Sequence, residues 1–335
     1  MHAIRLHAFG PPENLVYEPA DDPVPAAGQV RIAVAAAGVH LVDTALRSGV
    51  PLGGAWKPAP LPTIPGREVA GTVDALGEGV DRSWLGRRVS AHLGMVPGGY
   101  AELAVTGVEK LHPLPDGLSE ADAVALLGTG RMTMGILRFA DIEPGDIVLV
   151  LAAAGGIGAL LTQVARHRGA RVVGAAGGPA KVETVRGLGA DLAVDYDRPD
   201  WPAVVREAFG DRPARYVFEG VAGERAEAAI RLLAPGGAHF AYGNASQGLG
   251  AADSATLPAA ELAERGVTSE TILGPALFAK VGGLENLKVL EDEALELGRQ
   301  GVAVPLVQTF PLAEAAAAHR ALESRGTVGK VVLVP

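Results

Sequence analysis

Apolar positions along this chain follow two regimes. Up to about residue 120 they come in short, β-like runs at 29–35, 69–73, 88–91 and 100–105, punctuated by Gly and Pro as in Gly10-Pro11-Pro12, Pro23-Val24-Pro25 and Pro113-Leu114-Pro115. That spacing predicts an antiparallel, β-rich domain, barrel-like in outline. A helical region opens at Ser119, a natural N-cap with Glu120 and Asp122 in the first turn. From Ile147 the pattern changes to unbroken aliphatic blocks separated by helical spacing. Strands are predicted at 147–151, 171–175, 192–194, 216–219, 238–242 and 268–273, with helices such as 180–188 and 222–233 between them. Alternation of this kind is the mark of an α/β, doubly wound parallel sheet. The tail predicts a helix at 285–300, a strand at 304–309, a helix at 311–323 and a last strand at 330–334, free to return to the first domain.

The sharpest signal lies after the first aliphatic block. Ile147 to Leu151 reads as a buried strand and runs into Ala153-Ala154-Gly155-Gly156-Ile157-Gly158. Beyond it Ile157, Leu160, Leu161, Val164 and Ala165 share one helical face, Arg166, His167 and Arg168 fall in the last turn, and Gly169 stops the helix. Strand, glycine turn and helix bring a helix N-terminus against a phosphate, and missing Cβ atoms let the backbone approach it. A lone G-x-G-x-x-G is weak, and here its first glycine is Ala153. The flanking strands make the unit βαβ and raise nucleotide binding above chance. The uncharged span 147–165 could cross a membrane on hydropathy alone, but its central glycines argue against that.

Composition narrows the field. A chain of 335 residues suits two domains, and 48% hydrophobic with 20% charged residues is ordinary for globular proteins. A net charge of −9 disfavours nucleic acid and anionic membranes as partners. Met1-His2-Ala3-Ile4-Arg5-Leu6 does not read as a signal peptide, so the cytoplasm is the expected compartment. The absence of cysteine excludes disulfides, cysteine nucleophiles and thiolate zinc sites.

The second strand of the doubly wound region ends Val173-Gly174-Ala175-Ala176-Gly177-Gly178, without the acid that would hold a ribose 2′-hydroxyl. Small residues leave room for a 2′-phosphate, and Lys181 follows at the start of the next helix. Either Lys181 is a solvated lysine or it meets that phosphate. In the second case each charge-assisted bond is worth roughly 1.5–3 kcal/mol, favouring NADPH by about tenfold or more.

These segments resemble a known family, the zinc-free medium-chain dehydrogenases/reductases, in their quinone oxidoreductase (zeta-crystallin-like) branch. The matching residues are Ala37-Gly38-Val39-His40-Leu41-Val42-Asp43-Thr44-Ala45-Leu46-Arg47-Ser48-Gly49, Ile64-Pro65-Gly66-Arg67-Glu68-Val69-Ala70-Gly71, Gly98-Gly99-Tyr100-Ala101-Glu102, the glycine turn, Leu188-Gly189-Ala190-Asp191, Gly243-Asn244-Ala245-Ser246 and Gly329-Lys330-Val331-Val332. The resemblance implies a GroES-like domain over 1–123, a Rossmann domain over 124–275, a return to the first domain over 276–335, and a cofactor in the cleft between them. It implies that Ala153, Gly155, Gly156, Ile157 and Gly158 cradle the pyrophosphate, and that Gly177, Lys181 and Tyr196 surround the 2′-phosphate of NADPH. Tyr196 is equally readable as a half-exposed tyrosine at a strand end. By the same resemblance Val221, Gly243 and Asn244 line the ribose and nicotinamide, Leu273 and Gly274 follow the sixth strand, and Lys330 makes a tail contact. A homodimer joined through the sixth strand is a further implication.

Zinc-dependent relatives need Cys near position 40, His after Gly66 and usually Cys near 129, where this chain has His40, Arg67 and Thr129. No metal is therefore expected, and simple alcohol oxidation is poorly supported. The workable chemistry is hydride delivery from NADPH to a small-molecule acceptor that stabilises its own charge, a quinone or an enone. Two alternatives stand beside it: an enoyl reductase acting on acyl thioesters, and a non-enzymatic, crystallin-like NADPH-binding protein. His40 and Ala45 replace the Asn and Tyr frequent in the branch. His40 is either a proton donor or a packed histidine; Ala45 widens the acceptor pocket; Trp56 either lines that pocket or is an exposed loop residue.

Overall fold

A computed structural model describes residues 1–50, 59–94, 98–243 and 257–335, and the chain divides into two compact units. The first contains Met1–Arg131, Glu291–Gly301 and Pro305–Pro335; the second contains Met132–Leu290 and Val302–Val304.

The chain begins with an antiparallel pair, β1 (His2–Leu6) and β2 (Leu15–Pro19). The strand β3 (Gln29–Val39) follows, longer than its apolar alternation suggests, because its far end is buried on both faces and loses the period-2 signal. Helix α1 (Leu41–Ser48) starts at His40, whose N–H donates to Asp43 Oδ2 at 2.8 Å, and ends at Gly49 in the left-handed region at φ 78°. Strands β4 (Glu68–Leu76), β5 (Arg88–His92), β6 (Leu103–Gly107) and β7 (Leu111–Pro113) complete the N-terminal part. Helix α2 (Glu120–Ala125) is capped by Ser119, whose Oγ accepts from the Asp122 N–H at 3.1 Å. Leu126–Gly130 then winds as a π-helix, and the chain leaves the first unit inside α3 (Arg131–Ile136).

The second unit is the expected doubly wound sheet. Its strands are β8 (Ile147–Leu151), β9 (Arg171–Ala176), β10 (Leu192–Asp195), β11 (Ala214–Glu219), β12 (Leu233–Ala241) and β13 (Thr268–Thr271). They lie in the order β10-β9-β8-β11-β12-β13, all parallel. Helices α4 (Gly156–His167), α5 (Pro179–Gly187), α6 (Trp201–Phe209), α7 (Glu224–Ile230), α8 (Ala259–Arg265) and α9 (Pro275–Lys280) supply the connections. The order reverses between β8 and β11, so a crevice lies beyond their C-terminal ends. One expectation fails locally: α7 stops at Ile230 and β12 already begins at Leu233, where Leu233 and its fully buried neighbours Ala229, Ile230 and Leu232 are apolar enough to suit either element.

The tail returns to the first unit. After α10 (Leu287–Arg299), β14 (Val307–Pro311), α11 (Ala315–Glu323) and β15 (Lys330–Val334) complete its sheet, in the order β14-β15-β3-β4-β5-β7 with β6 also on β3. Ile4, Ile32, Val69, Val89, Tyr100, Leu111, Val331 and Leu333 form its core. The units change at 131/132 and 290/291, against expected boundaries of 123/124 and 275/276. Packing gives the reason: α2 is capped and buried with the first unit, while Leu277 of α9 seats on Gly135, where a Cβ would lie 2.8 Å from Leu277 Cδ1.

Candidate functional site

The second unit presents a cradle made of backbone. At the end of β8 the chain turns through Ala152 at φ 51°, an unusual value for a residue with a side chain. The Gly155 N–H closes this turn on Ala152 O at 2.8 Å, and α4 begins at Gly156 with no side chain capping it. The first N–H groups of a helix have no partner within it, and here no side chain of the cap supplies one. A Cβ on Gly158 would overlap Ala152 O and lie 2.8 Å from Ala153 Cα, so helix and strand meet closely only because residue 158 is glycine. Ala153 and Ala154 are buried, and Ala153 N–H bonds to Ala175 O at 3.0 Å. Their part is to let β8, β9 and α4 approach, while Gly156, Ile157 and Gly158 place the first N–H groups of α4 at the turn.

Across the crevice, β11 ends in a fully buried carboxylate. Glu219 Oε1 accepts from the backbone N–H of Val221 and from that of Ala222 at 2.5 Å, fixing a turn in which Ala222 has φ 66°. A Cβ on Gly243 would come 3.1 Å from Gly220 O, so the ends of β11 and β12 close on each other. Tyr242 packs beside them; burial, then the Glu219 charge, pushes its phenol well above its usual range. Leu273 and Gly274 follow β13, with Gly274 at φ 70° ahead of α9. Asn244 lies outside the described residues.

At the end of β9, Gly177, Tyr196, Asp197 and Arg225 come together. A Cβ on Gly177 would lie 3.1 Å from Tyr196 Cε2 and 2.7 Å from Asp197 Oδ2. The Arg225 guanidinium sits 5.0 Å from the Tyr196 ring centre and pairs with Asp197 at 2.5 Å. Lys181 lies in the first turn of α5. The acid-free end of β9 therefore has an acid beside it after all, delivered by the neighbouring strand β10. Neither Asp197 nor Arg225 stood out in the sequence. Their only signal is position, just past a strand and just inside a helix on the crevice side of the sheet.

The first unit carries a cluster made of side chains. Lys330 Nζ lies 2.5 Å from Glu68 Oε1 and 3.1 Å from His40 Nε2, and His40 Nε2 lies 2.8 Å from the same Glu68 oxygen. Glu68 is 0% exposed and Lys330 4% exposed. Burial alone raises the Glu68 carboxyl, but the charges of His40 and Lys330 and the His40 contact outweigh it, holding it far below the usual carboxylate range. Burial draws the Lys330 ammonium downward, with Glu68 opposing. Gly38 and Gly128 make room: a Cβ on either would overlap the Glu68 carboxylate, and one on Gly128 would also lie 2.8 Å from His40 Cε1.

Around this triad the buried charges continue in pairs. Arg67 donates to Asp43 Oδ1 at 2.9 Å, and the Tyr100 hydroxyl lies 3.2 Å from Asp43 Oδ2 and 3.4 Å from His319 Nε2. Arg131 bridges Glu291 at 2.8 Å and His92 at 3.2 Å, and His112 lies between Glu291 at 2.8 Å and Asp292 at 2.7 Å. Burial lowers His92 to about 3, with Arg131 adding to the effect, and lowers His319 to about 4 against the opposing charge of Asp43. Ala45 is buried, and Trp56 lies outside the described residues. Of the residues predicted from sequence, the fold brings His40 and Lys330 together in this unit, so Lys330 stands as an ion-pair partner of Glu68. Glu68, visible in the sequence only as part of Gly66-Arg67-Glu68, is the carboxylate that joins them.

A zinc ion does not fit the donor set. Where a ligand frame would need a neutral histidine, Arg67 presents a guanidinium committed to Asp43, and beside His40 Nε2 the Lys330 ammonium already supplies the positive charge.

A barrel-like β unit completed by its own C-terminal tail, with a doubly wound sheet carrying a glycine turn, defines the medium-chain dehydrogenase/reductase class. A family profile described as "Alcohol dehydrogenase GroES-like domain" matches residues 26–116, and one described as "Zinc-binding dehydrogenase" matches residues 156–279. The chain is 34% identical to a 2-haloacrylate reductase of Burkholderia sp, over 99% of this chain and 98% of that one. It is 34% identical to a quinone oxidoreductase of Pseudomonas aeruginosa, over 99% of both. The solved structure of Escherichia coli quinone oxidoreductase complexed with NADPH superposes with a TM-score of 0.84 at 28% identity, covering 100% of both chains. The chain belongs to the medium-chain dehydrogenase/reductase family, in its quinone oxidoreductase branch.

Proposed function

We propose that this protein is an NADPH-dependent oxidoreductase that reduces quinones or enones without a metal. The observation that carries the reading is the uncapped start of α4 against Ala152, a backbone cradle for a pyrophosphate in a chain whose relatives are quinone and haloacrylate reductases. Bound NADPH supplies the hydride. The N–H groups of Gly156, Ile157 and Gly158 hold the pyrophosphate. Lys181, Tyr196 and the open face of Gly177 receive the 2′-phosphate. Val221, held by Glu219, and Gly243, Asn244, Leu273 and Gly274 orient the ribose and nicotinamide.

His40 is the residue of the first unit assigned to the acceptor. In this reading His40 gives a proton to the oxyanion or enolate carbon as charge develops there, and the Lys330–Glu68 pair keeps its ring oriented through Nε2. Trp56 is assigned to the acceptor pocket. The protein works in the cytoplasm on a small-molecule acceptor, as a homodimer that pairs through the exposed edge of β13. Among the described residues no helix is long and apolar enough to cross a membrane.

Steady-state oxidation of NADPH tests the reading against panels of quinones, enones and enoyl thioesters. Turnover with quinones or enones at least tenfold above thioesters is expected. Tight NADPH binding with no turnover in any panel would favour the non-enzymatic reading.

A further inference from the structure

We infer that Arg225 selects the 2′-phosphorylated dinucleotide, and that Asp197 holds its guanidinium in position until the phosphate displaces the carboxylate. The inference rests on the assignment of Gly177, Lys181 and Tyr196 to the 2′-phosphate, and it adds a residue that neither the family motifs nor the strand-end rule identified.

Three observations converge on Arg225. Its guanidinium carbon lies over the Tyr196 ring, 5.0 Å from the ring centre, a cation–π contact that restrains the side chain. Its NH2 group is spent on Asp197, 2.5 Å away, in a pair whose side chains are 35% and 49% exposed. Its Nε is buried and has no hydrogen-bond partner among the described residues. The NH1 arm has no hydrogen bond to any described residue and is not among the buried atoms, so the fork has one arm open to an acceptor, and a phosphate suits the fork of an arginine better than a second carboxylate does.

Location supplies the rest. The Asp197 carboxylate stands 2.7 Å from where a Cβ of Gly177 would be, so the ion pair lies directly at the small-residue end of β9. That is the strand end from which a ribose 2′ substituent is read in doubly wound folds. An incoming 2′-phosphate brings close to two negative charges into a place held by one. The exposed Asp197–Arg225 pair is cheap to break, whereas the dianion offers Arg225 a bidentate partner. A 2′-hydroxyl offers Arg225 no charge, so the carboxylate stays paired and NADH gains nothing from the arginine. Asp197 therefore acts as a stand-in anion: it keeps the fork aimed and also competes with the phosphate.

Dissociation constants for NADPH, NADH and 2′,5′-ADP, measured by calorimetric titration of the full chain, test this. Arg225→Ala should weaken NADPH and 2′,5′-ADP tenfold or more and change NADH less than twofold. Arg225→Lys keeps the charge but loses the fork, and should recover only part of the loss. Asp197→Asn removes the competitor and should tighten NADPH two- to threefold with NADH unchanged. Arg225→Gln serves as a second neutral variant, with thermal melting of the apoprotein as the check on folding. Equal changes in NADPH and NADH for Arg225→Ala would overturn the proposal. Lys181→Ala separates the two layers: if it shifts the NADPH:NADH ratio and Arg225→Ala does not, Arg225 is wrong and the site stands; if neither shifts it, the site assignment itself fails.

Discussion

The two units build their chemistry from opposite materials. In the second, the candidate site is built from backbone, the N–H groups at the start of α4 and a turn after β11 whose own N–H groups are tied down by Glu219, and side chains contribute mainly by being absent or by bracing the turn from beneath. In the first, the candidate groups are ionisable side chains, most of them buried and joined in pairs, from His112 through Glu291 to Arg131 and from Lys330 through Glu68 to His40. A backbone cradle is fixed by chain geometry and indifferent to proton concentration. A buried charge cluster stands only while every member is paired, and it titrates. In the proposed reading, binding and proton handling fall to parts with different failure modes.

That contrast can be broken most severely at Glu68. Glu68→Ala leaves Lys330 and His40 without their shared carboxylate, and breaking a buried pair costs about 3–5 kcal/mol. Urea unfolding should show this loss, and a change under about 1 kcal/mol would mean the charges find other partners. Next is Glu219→Ala, which strips the acceptor from the Val221 and Ala222 N–H groups. A buried group left unsatisfied costs roughly 1–3 kcal/mol, and NADPH affinity should fall with it; unchanged affinity would detach the turn from the cofactor.

Acid should separate the units more gently. His92 and His319 are held neutral in the folded protein, lowered from 6.5 to about 3 and about 4. Below pH 6.5 the unfolded chain takes up protons that the folded chain refuses. Stability is therefore full above that pH and declines as the pH falls toward about 4, where His319 begins to accept its proton in the fold. Glu68, held below its usual range, contributes stability above its unfolded value of 4.5 that is lost only in stronger acid. Denaturation monitored from pH 7 to 4 should show this slope, and replacing His319 with Gln should flatten it. The smallest expected effect is Lys181→Ala, a single charge in the first turn of α5, which should weaken NADPH several-fold and NADH less.

The cradle was legible in the sequence because it is local. Strand, Gly155-Gly156-Ile157-Gly158 and helix lie within one stretch, and their spacing encodes their geometry. The side-chain cluster was not legible for the converse reason. His40 and Lys330 stand 290 positions apart, and only the return of β15 onto β3 makes them neighbours. Asp197 and Arg225 escaped for a similar reason: a rule that inspects the end of β9 cannot see a carboxylate arriving from the turn after β10. Helix α9 groups with the second unit through the seat of Leu277 on Gly135, a packing contact that composition does not reveal.

In the proposed function the glycine cradle binds the hydride donor for reduction of a quinone or enone. The direct measurement is a single-turnover experiment: NADPH is bound to the wild-type chain and to Gly158→Val, a quinone is added, and nicotinamide absorbance is followed. Wild type should bind NADPH and oxidise it on addition of the quinone. The variant, whose new side chain meets Ala152 O, should lose binding at least tenfold while melting as a folded protein. Undiminished binding and turnover in Gly158→Val would contradict the claim.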